Sequence, residues 1–335
     1  MRKETDFGIC VTEYFTKHLV GTRNLSGNTI RSYRDTMCLL LVFLTETKKL
    51  RVEKIRLADV AVETIQEFLE WLEVERGNSA TTRNLRLAAI QAFYRYVQME
   101  NPEILLHCQR IFAIPLKKTK RNIVNYLPES TLKELLACPN QSDQYGIRDT
   151  ALLCLLYDSG ARVQEIIDLS LSDLRLDTLP TVRLLGKGNK VRIVPLMSQT
   201  AEILQKYLTR WRLDAKTHPD KPLFVNHQGN RLTRPGITYV LKKYMSEIGA
   251  DEKLITPHII RHSKAMHLLR ADVNLHYIRD FLGHVNVETT EVYARADAEM
   301  KRKALAKANP NLSTGGQTTW QKNENLMSWL QSLGR

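Results

Sequence analysis

The stretch Pro257-His258-Ile259-Ile260-Arg261-His262-Ser263 decides how the rest of this sequence is interpreted. The chain continues with Leu282-Gly283-His284 and then Tyr293, so imidazoles, a guanidinium and a phenol fall within one short segment. Guanidinium groups bind phosphate oxygens, histidines transfer protons, and a tyrosine oxygen is a nucleophile that attacks phosphorus. The combination predicts chemistry on a phosphodiester.

Two earlier motifs add to this set. Arg162 stands in Gly160-Ala161-Arg162-Val163-Gln164-Glu165, and two lysines stand in Gly186-Lys187-Gly188-Asn189-Lys190. Cleavage of a phosphodiester without a metal needs guanidinium groups for the charge of the transition state, an in-line nucleophile, and a proton for the leaving oxygen. Arginine, tyrosine and lysine or histidine supply these functions, so the motifs predict breakage and rejoining of a phosphodiester backbone.

The length and charge of the chain fit this prediction. Its 335 residues are enough for two domains with separate cores. Lys and Arg number 49 against 36 Asp and Glu, which gives a net charge of +13 and a pI of about 9.5. Clustered cations gain affinity by releasing counterions from nucleic acid, so we interpret the charge as a polyanion-binding surface. The alternative is a generically basic protein.

The cysteines and the apolar segments indicate the cellular compartment of the protein. The five cysteines are scattered and form no CxxC pair, which argues against a disulfide framework or a zinc ribbon. The N-terminus lacks the apolar segment of a signal peptide, and the longest apolar run, residues 38–44, is too short to span a bilayer. We therefore expect a cytoplasmic protein with no membrane partner.

Residues 1–113 are predicted to form a helical domain. Helix start signals occur at Ser26-Gly27-Asn28-Thr29 and at Asn78-Ser79-Ala80-Thr81-Thr82, and residues 61–74 carry apolar side chains at helical spacing. Arginines decorate the helix that follows the second signal. They are predicted either to contact phosphates or to form a solvated basic face.

Residues 114–126 are predicted to be a basic linker, because Pro115 interrupts the preceding helix and a run of lysines and an arginine follows. Such runs are often merely solvated, but between two domains of a basic protein this one is expected to cross a DNA backbone. The candidate DNA-contacting residues of the whole chain are Arg83, Arg86, Lys117, Lys118, Lys120, Arg121 and Lys190.

Residues 127–311 are predicted to form a second, chemistry-bearing domain. A helical region is predicted to start near Leu127-Pro128-Glu129-Ser130, and Thr131 and Glu134 have capping-box spacing there. Residues 147–160 are apolar on most sides and are expected to form a core helix.

The apolar period then changes from helical to strand-like. Residues 181–185 and 191–196 flank the glycine-containing turn at 186–190, which predicts a β-hairpin. Beyond it, residues 312–335 are predicted to be a tail, with a helix carrying apolar residues on one face. The predicted fold is therefore mainly α with a small β component.

In its motifs, the chain resembles the tyrosine recombinases of the phage integrase family, in the style of Xer-type and transposon-encoded integrases. The matching pieces, in the family's order, are Gly160–Glu165, Gly186–Lys190, His258-x-x-Arg261-His262-Ser263, Leu282–His284 and Thr289-Thr290-x-x-Tyr293. Each motif alone is weak, and all five in order are specific. The resemblance implies a helical SAM-like core-binding domain joined to an α/β catalytic domain, the two forming a clamp on DNA.

The resemblance also implies roles for individual residues. Tyr293 would attack the scissile phosphate and form a 3′-phosphotyrosine. Arg162 and Arg261 would hold the non-bridging oxygens, and His284 would help to hold the phosphate. His258 is a candidate proton acceptor for the tyrosine.

A lysine of the hairpin turn would protonate the 5′-hydroxyl leaving group. Lys187 is the first choice and Lys190 the rival, because a sequence does not say which turn lysine faces the scissile bond. Glu165 follows Arg162 by one helical turn and would orient the region of Arg162 without contacting the phosphate itself. The resemblance implies no metal and no cofactor, because the phosphotyrosine retains the bond energy for religation.

The partners follow from the same resemblance, which also implies a bacterial, nucleoid-associated protein. We expect double-stranded DNA and a homo-oligomer, tetrameric in the synapse, with a second recombinase as a further option. Integration, excision or transposition of a mobile element is the expected role. The alternatives are Xer-type chromosome-dimer resolution and a non-catalytic DNA-binding architectural or regulatory protein. The tail helix is expected to pack on its own domain or on a neighbouring subunit.

Overall fold

Two compact units, Met1–Asn122 and Ile123–Arg335, make up the chain in its computed structural model. The described residues are 5–23, 25–119, 125–186 and 188–283. Each unit has its own apolar core. The division falls inside the basic segment 114–126, whose function as a linker stays a prediction, as do the predicted domain boundaries.

The described part of the first unit is helical. Its α-helices are α1 (Asp6–Glu13), α2 (Gly27–Glu46), α3 (Val62–Val74), α4 (Ala80–Glu100) and α5 (Leu105–Phe112), with a π-helix at Tyr14–Thr22 after α1. Both predicted start signals are confirmed. Ser26 Oγ accepts the N–H of Thr29 at 3.3 Å, and Ser79 Oγ accepts that of Thr82 at 3.3 Å. Each such cap contributes about 1 kcal/mol to helix stability.

Aromatic side chains fill the core of the first unit. Phe43, Phe68, Phe93 and Tyr94 are fully buried among α2, α3 and α4. The hydroxyl of Tyr94 donates to the carbonyl oxygen of Val60 at 3.2 Å, so burial leaves this polar group satisfied.

The described helices of the second unit surround a small sheet. They are α6 (Glu129–Ala137), α7 (Gln144–Ser159), α8 (Val163–Asp168), α9 (Ser198–Arg210), α10 (Arg234–Glu247), α11 (Pro257–Arg270) and α12 (Leu275–Leu282). The predicted core helix is confirmed, because α7 is buried along almost its whole length. Its apolar residues form part of the core of this unit.

The predicted capping box of Thr131 and Glu134 is wrong. Helix α6 begins at Glu129 after Pro128, so Thr131 lies inside the first turn and does not cap it. Proline fixes φ at a value compatible with the residue before a helix and has no N–H to satisfy there.

The β-hairpin is confirmed as β2 (Thr181–Leu185) and β3 (Val191–Pro195), antiparallel, with Leu184 opposite Arg192. A short strand that the sequence did not predict, β1 (Leu174–Arg175), pairs with the outer edge of β2. Two residues are too few to show an alternating pattern, which explains the omission. Among the residues that the structure describes, no helix has the length and apolar character needed to cross a membrane.

Candidate functional site

Gly160 shapes the turn that positions Arg162. It ends α7 with φ of +55°, a left-handed conformation that L side chains rarely adopt. A β-carbon there would lie 2.9 Å from a methyl group of Leu282. The left-handed conformation of the turn and its close approach to the end of α12 therefore favour glycine. The turn places Arg162 at the N-terminus of α8.

Arg162 is held by a buried carboxylate and by a backbone oxygen. Its Nη1 donates to Glu165 Oε1 at 2.9 Å, and its backbone N–H donates to Glu165 Oε2 at 2.7 Å. Its Nη2 donates to the carbonyl oxygen of Gly283 at 3.1 Å. The side chain remains 32% exposed, so part of this oriented guanidinium faces solvent, where a phosphate would approach.

Arg192 was missed by the sequence analysis and lies at the centre of this cluster. Its Nη1 and Nη2 donate to Oε1 and Oε2 of Glu165 at 2.8 and 2.7 Å. Burial acts to raise the pKa of Glu165. The hydrogen bonds and the charge of Arg192, followed by the hydrogen bonds of Arg162, outweigh this effect and lower the pKa. The strand period was the available signal, because it places Arg192 on the same face as the buried Val194.

Arg261 on α11 lies deeper than Arg162. It is 4% exposed, and its Nη1 and Nη2 donate to the carbonyl oxygens of Gly160 and Leu282, each at 2.7 Å. Arg261 and Arg162 thus bond to two consecutive carbonyls, those of Leu282 and Gly283. These residues directly precede His284 in the sequence, so the structure brings both predicted arginines to the predicted Leu-Gly-His motif.

His258 lies one helical turn before Arg261 on α11. His258 is an exposed residue, yet partial desolvation, followed by the charges of Arg261, Arg234 and Arg162, lowers the pKa of its imidazole from 6.5. A lowered pKa keeps the imidazole neutral near pH 7 and able to accept a proton. Arg234, an exposed residue at the start of α10, is a further cation near this histidine that the sequence analysis did not select.

His262 is the second histidine of the motif, and its ring lies 6.5 Å from that of His258, centroid to centroid. This spacing on a helix also occurs in zinc sites. In the described ranges of the chain, no group of three His, Cys, Asp or Glu side chains is arranged to hold a metal ion.

Acidification is expected to destabilise the fold through His262. Burial, followed by the charges of His258 and Arg261, lowers the pKa of His262 from 6.5 to about 4. The unfolded chain therefore binds more protons between these pH values, and the free energy of unfolding falls as the pH falls, by on the order of 2 kcal/mol. Urea unfolding across this range should show a shallower pH dependence in His262→Gln, and identical slopes would contradict the assignment.

Several predicted residues lie outside the described residues: Lys120, Arg121, Lys187, His284, Tyr293 and the tail 312–335. Their roles stay predictions. Lys190 is described, and it is exposed at the end of the hairpin turn, where its carbonyl oxygen accepts the N–H of Gly186 at 2.8 Å. Its part in proton transfer also stays a prediction.

In the first unit, the two arginines predicted to contact DNA make internal contacts. Arg83 is 6% exposed, and its Nη1 donates to the carbonyl oxygen of Pro115 at 3.0 Å. Nη1 of Arg86 donates to the hydroxyl of Thr36 on α2 at 3.0 Å. Both guanidinium groups therefore bond within the first unit, and their contacts with DNA stay predictions.

The basic segment after α5 is exposed where it is described. Lys117 forms an ion pair with Glu73 on α3 at 2.7 Å, and Lys118 lies at the surface. An exposed pair of this kind contributes little to stability and is readily exchanged for another anion. Both lysines remain predicted DNA contacts.

Comparison with known proteins matches both halves of the chain to domain families. Residues 12–101 match the N-terminal SAM-like domain of phage integrases, and residues 125–300 match the phage integrase family. A Sinorhizobium fredii protein named "Putative integrase/recombinase y4rC" is 35% identical over 99% of this chain and 100% of its own length. Tyrosine recombinase XerC of Roseiflexus sp. is 34% identical over 84% of this chain and 87% of its own.

Solved structures share the fold. XerH site-specific recombinase bound to its difH substrate superposes with a TM-score of 0.67 at 21% identity, covering 90% of this chain and 88% of that one. The Tn1549 transposon integrase in complex with circular intermediate DNA gives 0.68 at 18% identity, covering 90% and 99%.

The helical first unit, the mainly α second unit with its small sheet, and the arginine cluster define a recombinase of the kind that the motifs predicted. The chain belongs to the phage integrase family, whose members are tyrosine recombinases. The predicted fold class is confirmed, and so is the prediction of an enzyme of site-specific DNA recombination.

Proposed function

We propose that this recombinase binds duplex DNA and cleaves one strand through Tyr293. The tyrosine oxygen attacks the scissile phosphorus, the bond from phosphorus to the 5′ oxygen breaks, and a 3′-phosphotyrosine and a free 5′-hydroxyl result. Attack of a 5′-hydroxyl on the phosphotyrosine reverses these steps and rejoins a strand. The number of phosphoester bonds is conserved, so the chemistry needs no external energy source.

One observation carries this proposal: Arg162 and Arg261 bond to consecutive carbonyls of the turn that leads into His284. Guanidinium groups preorganised in this way stabilise the charge of a pentacoordinate phosphate more than that of the ground state. Arg162, Arg192 and Arg261 carry three positive charges against the single negative charge of Glu165. The described cluster therefore has a net positive charge, which suits a phosphodiester.

Proton transfer is assigned to two groups. His258 accepts the proton of Tyr293, since its lowered pKa keeps it neutral. Lys187 donates a proton to the 5′ oxygen as it leaves, with Lys190 as the alternative donor. Both lysines stand in the turn between β2 and β3, and β3 also carries Arg192.

DNA is proposed to be contacted by Lys117, Lys118 and the basic residues around them, in a tetrameric synapse. Support for DNA binding comes from the net charge of +13 and from the fold shared with recombinases solved on DNA. We propose that the biological role is integration and excision or transposition of a mobile element. Support comes from the relative named integrase/recombinase, which matches along its full length.

Covalent capture tests this function. Nicked duplexes from the flanks of the protein's own locus are incubated with the protein, and adducts are resolved on a denaturing gel. An adduct confined to the ends of the element that carries the gene supports the mobile-element role. An adduct confined to a chromosomal resolution site points to the Xer-type role, and the absence of any adduct overturns strand cleavage.

The pH dependence of cleavage tests His258. The neutral imidazole is the proton acceptor, so the rate of adduct formation is expected to be flat near neutrality and to fall only below pH 6.5, the ordinary histidine value. Single-turnover rates from about pH 5 to about pH 8 measure this limb. In His258→Gln the rate should be lower and should no longer fall at acid pH. A fall that is unchanged in this variant would assign the titration to another group.

A further inference from the structure

We infer that Arg192 is a positioning residue for strand cleavage, which neutralises and occupies Glu165 so that the guanidinium of Arg162 remains available to the scissile phosphate. The inference rests on the proposed function, because it concerns the same phosphate site. It assigns a role to a residue of β3 whose two terminal nitrogens both bond to Glu165.

The hydrogen bonds of Glu165 show how the two arginines share it. Each carboxylate oxygen accepts one bond from Arg192 and one from Arg162. Arg192 uses both terminal nitrogens, whereas Arg162 contributes one side-chain nitrogen and its backbone N–H. The second terminal nitrogen of Arg162 is thereby left for Gly283, on the side of the predicted motif.

Charge explains why this sharing matters. The side chain of Glu165 is 4% exposed and that of Arg192 is 13% exposed, so the pair lies largely out of water. A buried carboxylate that loses one cationic partner attracts the nearest remaining cation strongly, because few water molecules are present to replace the lost hydrogen bonds. Without Arg192, Arg162 is the nearest cation and is expected to turn both terminal nitrogens toward Glu165, away from the phosphate.

Two glycines lie close to the ion pair of Arg192 and Glu165. A β-carbon at Gly283 would lie 3.2 Å from Arg192 Nη1, and one at Gly186 would lie 3.4 Å from Glu165 Oε1. The N–H of Gly186 closes the hairpin turn by donating to Lys190. Arg192 and Glu165 therefore lie close to both the hairpin turn and the turn before His284.

A purely structural role is the competing explanation, since an ion pair between β3 and α8 also stabilises the hairpin. The two roles differ in how Arg192 depends on Glu165. If Arg192 serves to neutralise Glu165, then removing the charge of Glu165 removes most of the need for Arg192. If Arg192 only stabilises the hairpin, loss of both partners is no better than loss of one.

The experiment compares Arg192→Met, the double variant Glu165→Gln/Arg192→Met, and Arg183→Met as a matched control. Arg183 is an arginine on the neighbouring strand β2 that pairs with Asp173, but its side chain is 58% exposed and points away from the cluster. For each variant, the single-turnover rate of adduct formation, the affinity for the same duplex and the thermal midpoint are measured.

We expect Arg192→Met to form adduct about a hundredfold more slowly, with unchanged DNA affinity, because Arg162 is displaced from its productive position. The double variant should recover at least about tenfold of this loss, and Arg183→Met should match the wild type. A wild-type rate for Arg192→Met, or a double variant no faster than the single one, would overturn the inference.

Arg192→Lys serves if the methionine variant does not fold. One ammonium group keeps the charge but does not bond both oxygens in the planar geometry of a guanidinium, so a loss of roughly tenfold is expected, and a wild-type rate overturns the inference. Failure of the proposed function is distinct, because the wild type and Arg183→Met would then also form no adduct.

Discussion

Tyr293→Phe is expected to abolish the covalent protein–DNA adduct while leaving the affinity for DNA unchanged. The substitution removes one oxygen atom, which is the nucleophile in the proposed reaction, and retains the ring and its packing. No other group is positioned by the motif to replace it, so the expected loss is complete within detection rather than partial. Adduct on a denaturing gel and affinity from a gel-shift titration, on the same nicked duplex, measure the two quantities.

Tyr277→Phe is the matched control for this experiment. Tyr277 lies on α12, is 55% exposed, and stacks on Phe281 with the ring centroids 6.4 Å apart. Its hydroxyl has no role in the proposed reaction, so adduct formation should equal that of the wild type. An adduct that persists in Tyr293→Phe and disappears in Tyr277→Phe would move the nucleophile to α12.

Arg162→Ala is expected to slow adduct formation by about a thousandfold with little change in folding stability. The guanidinium is partly exposed and donates toward a phosphate whose charge grows in the transition state, and loss of such a donor costs two to three orders of magnitude in rate. Single-turnover cleavage and urea unfolding measure both effects. Arg279→Ala, which removes an arginine paired with Asp280 on α12, is the control.

Arg261→Ala is expected to lose cleavage to a similar degree and, unlike Arg162→Ala, to destabilise the fold. Arg261 is buried, and its removal leaves the carbonyls of Gly160 and Leu282 without those two donors. An unsatisfied buried acceptor costs about 1 to 3 kcal/mol, so the free energy of unfolding should fall by at least about 2 kcal/mol. Equal stability of the two alanine variants would contradict this difference, and a wild-type rate in either would refute the phosphate clamp.

Much of the fold was predictable because it depends on local chemistry. Ser26 and Ser79 cap their helices as predicted, since a serine oxygen meets an unpaired N–H wherever a helix begins. The hairpin was predictable because two short runs rich in β-branched and apolar residues flank a turn that contains glycine. The start of α6 near Pro128 was also predicted, but the capping box at Thr131 does not form, because the helix already begins at Glu129.

The motifs that carry Arg162, His258 and Arg261 were also readable from the sequence, and the role of Tyr293 stays a prediction. What those residues contact was not readable from the sequence. Arg83 looked like a surface cation and is buried against the carbonyl of Pro115, because helix α4 presents it to the segment after α5. A charge pattern gives the number of cations but not which of them face solvent.

The sequence by itself determined the family, the capped helices and the hairpin, because these depend on residue type and on spacing along the chain, and the reacting groups that it indicates stay predictions. Only the tertiary structure decided that Arg192 shares Glu165 with Arg162 and that Arg162 and Arg261 meet at Leu282 and Gly283. These groups lie far apart in the chain. Their contacts arise because β3 brings Arg192 to Glu165 on α8, and the end of α12 brings two carbonyls to Arg162 and Arg261, which no local pattern encodes.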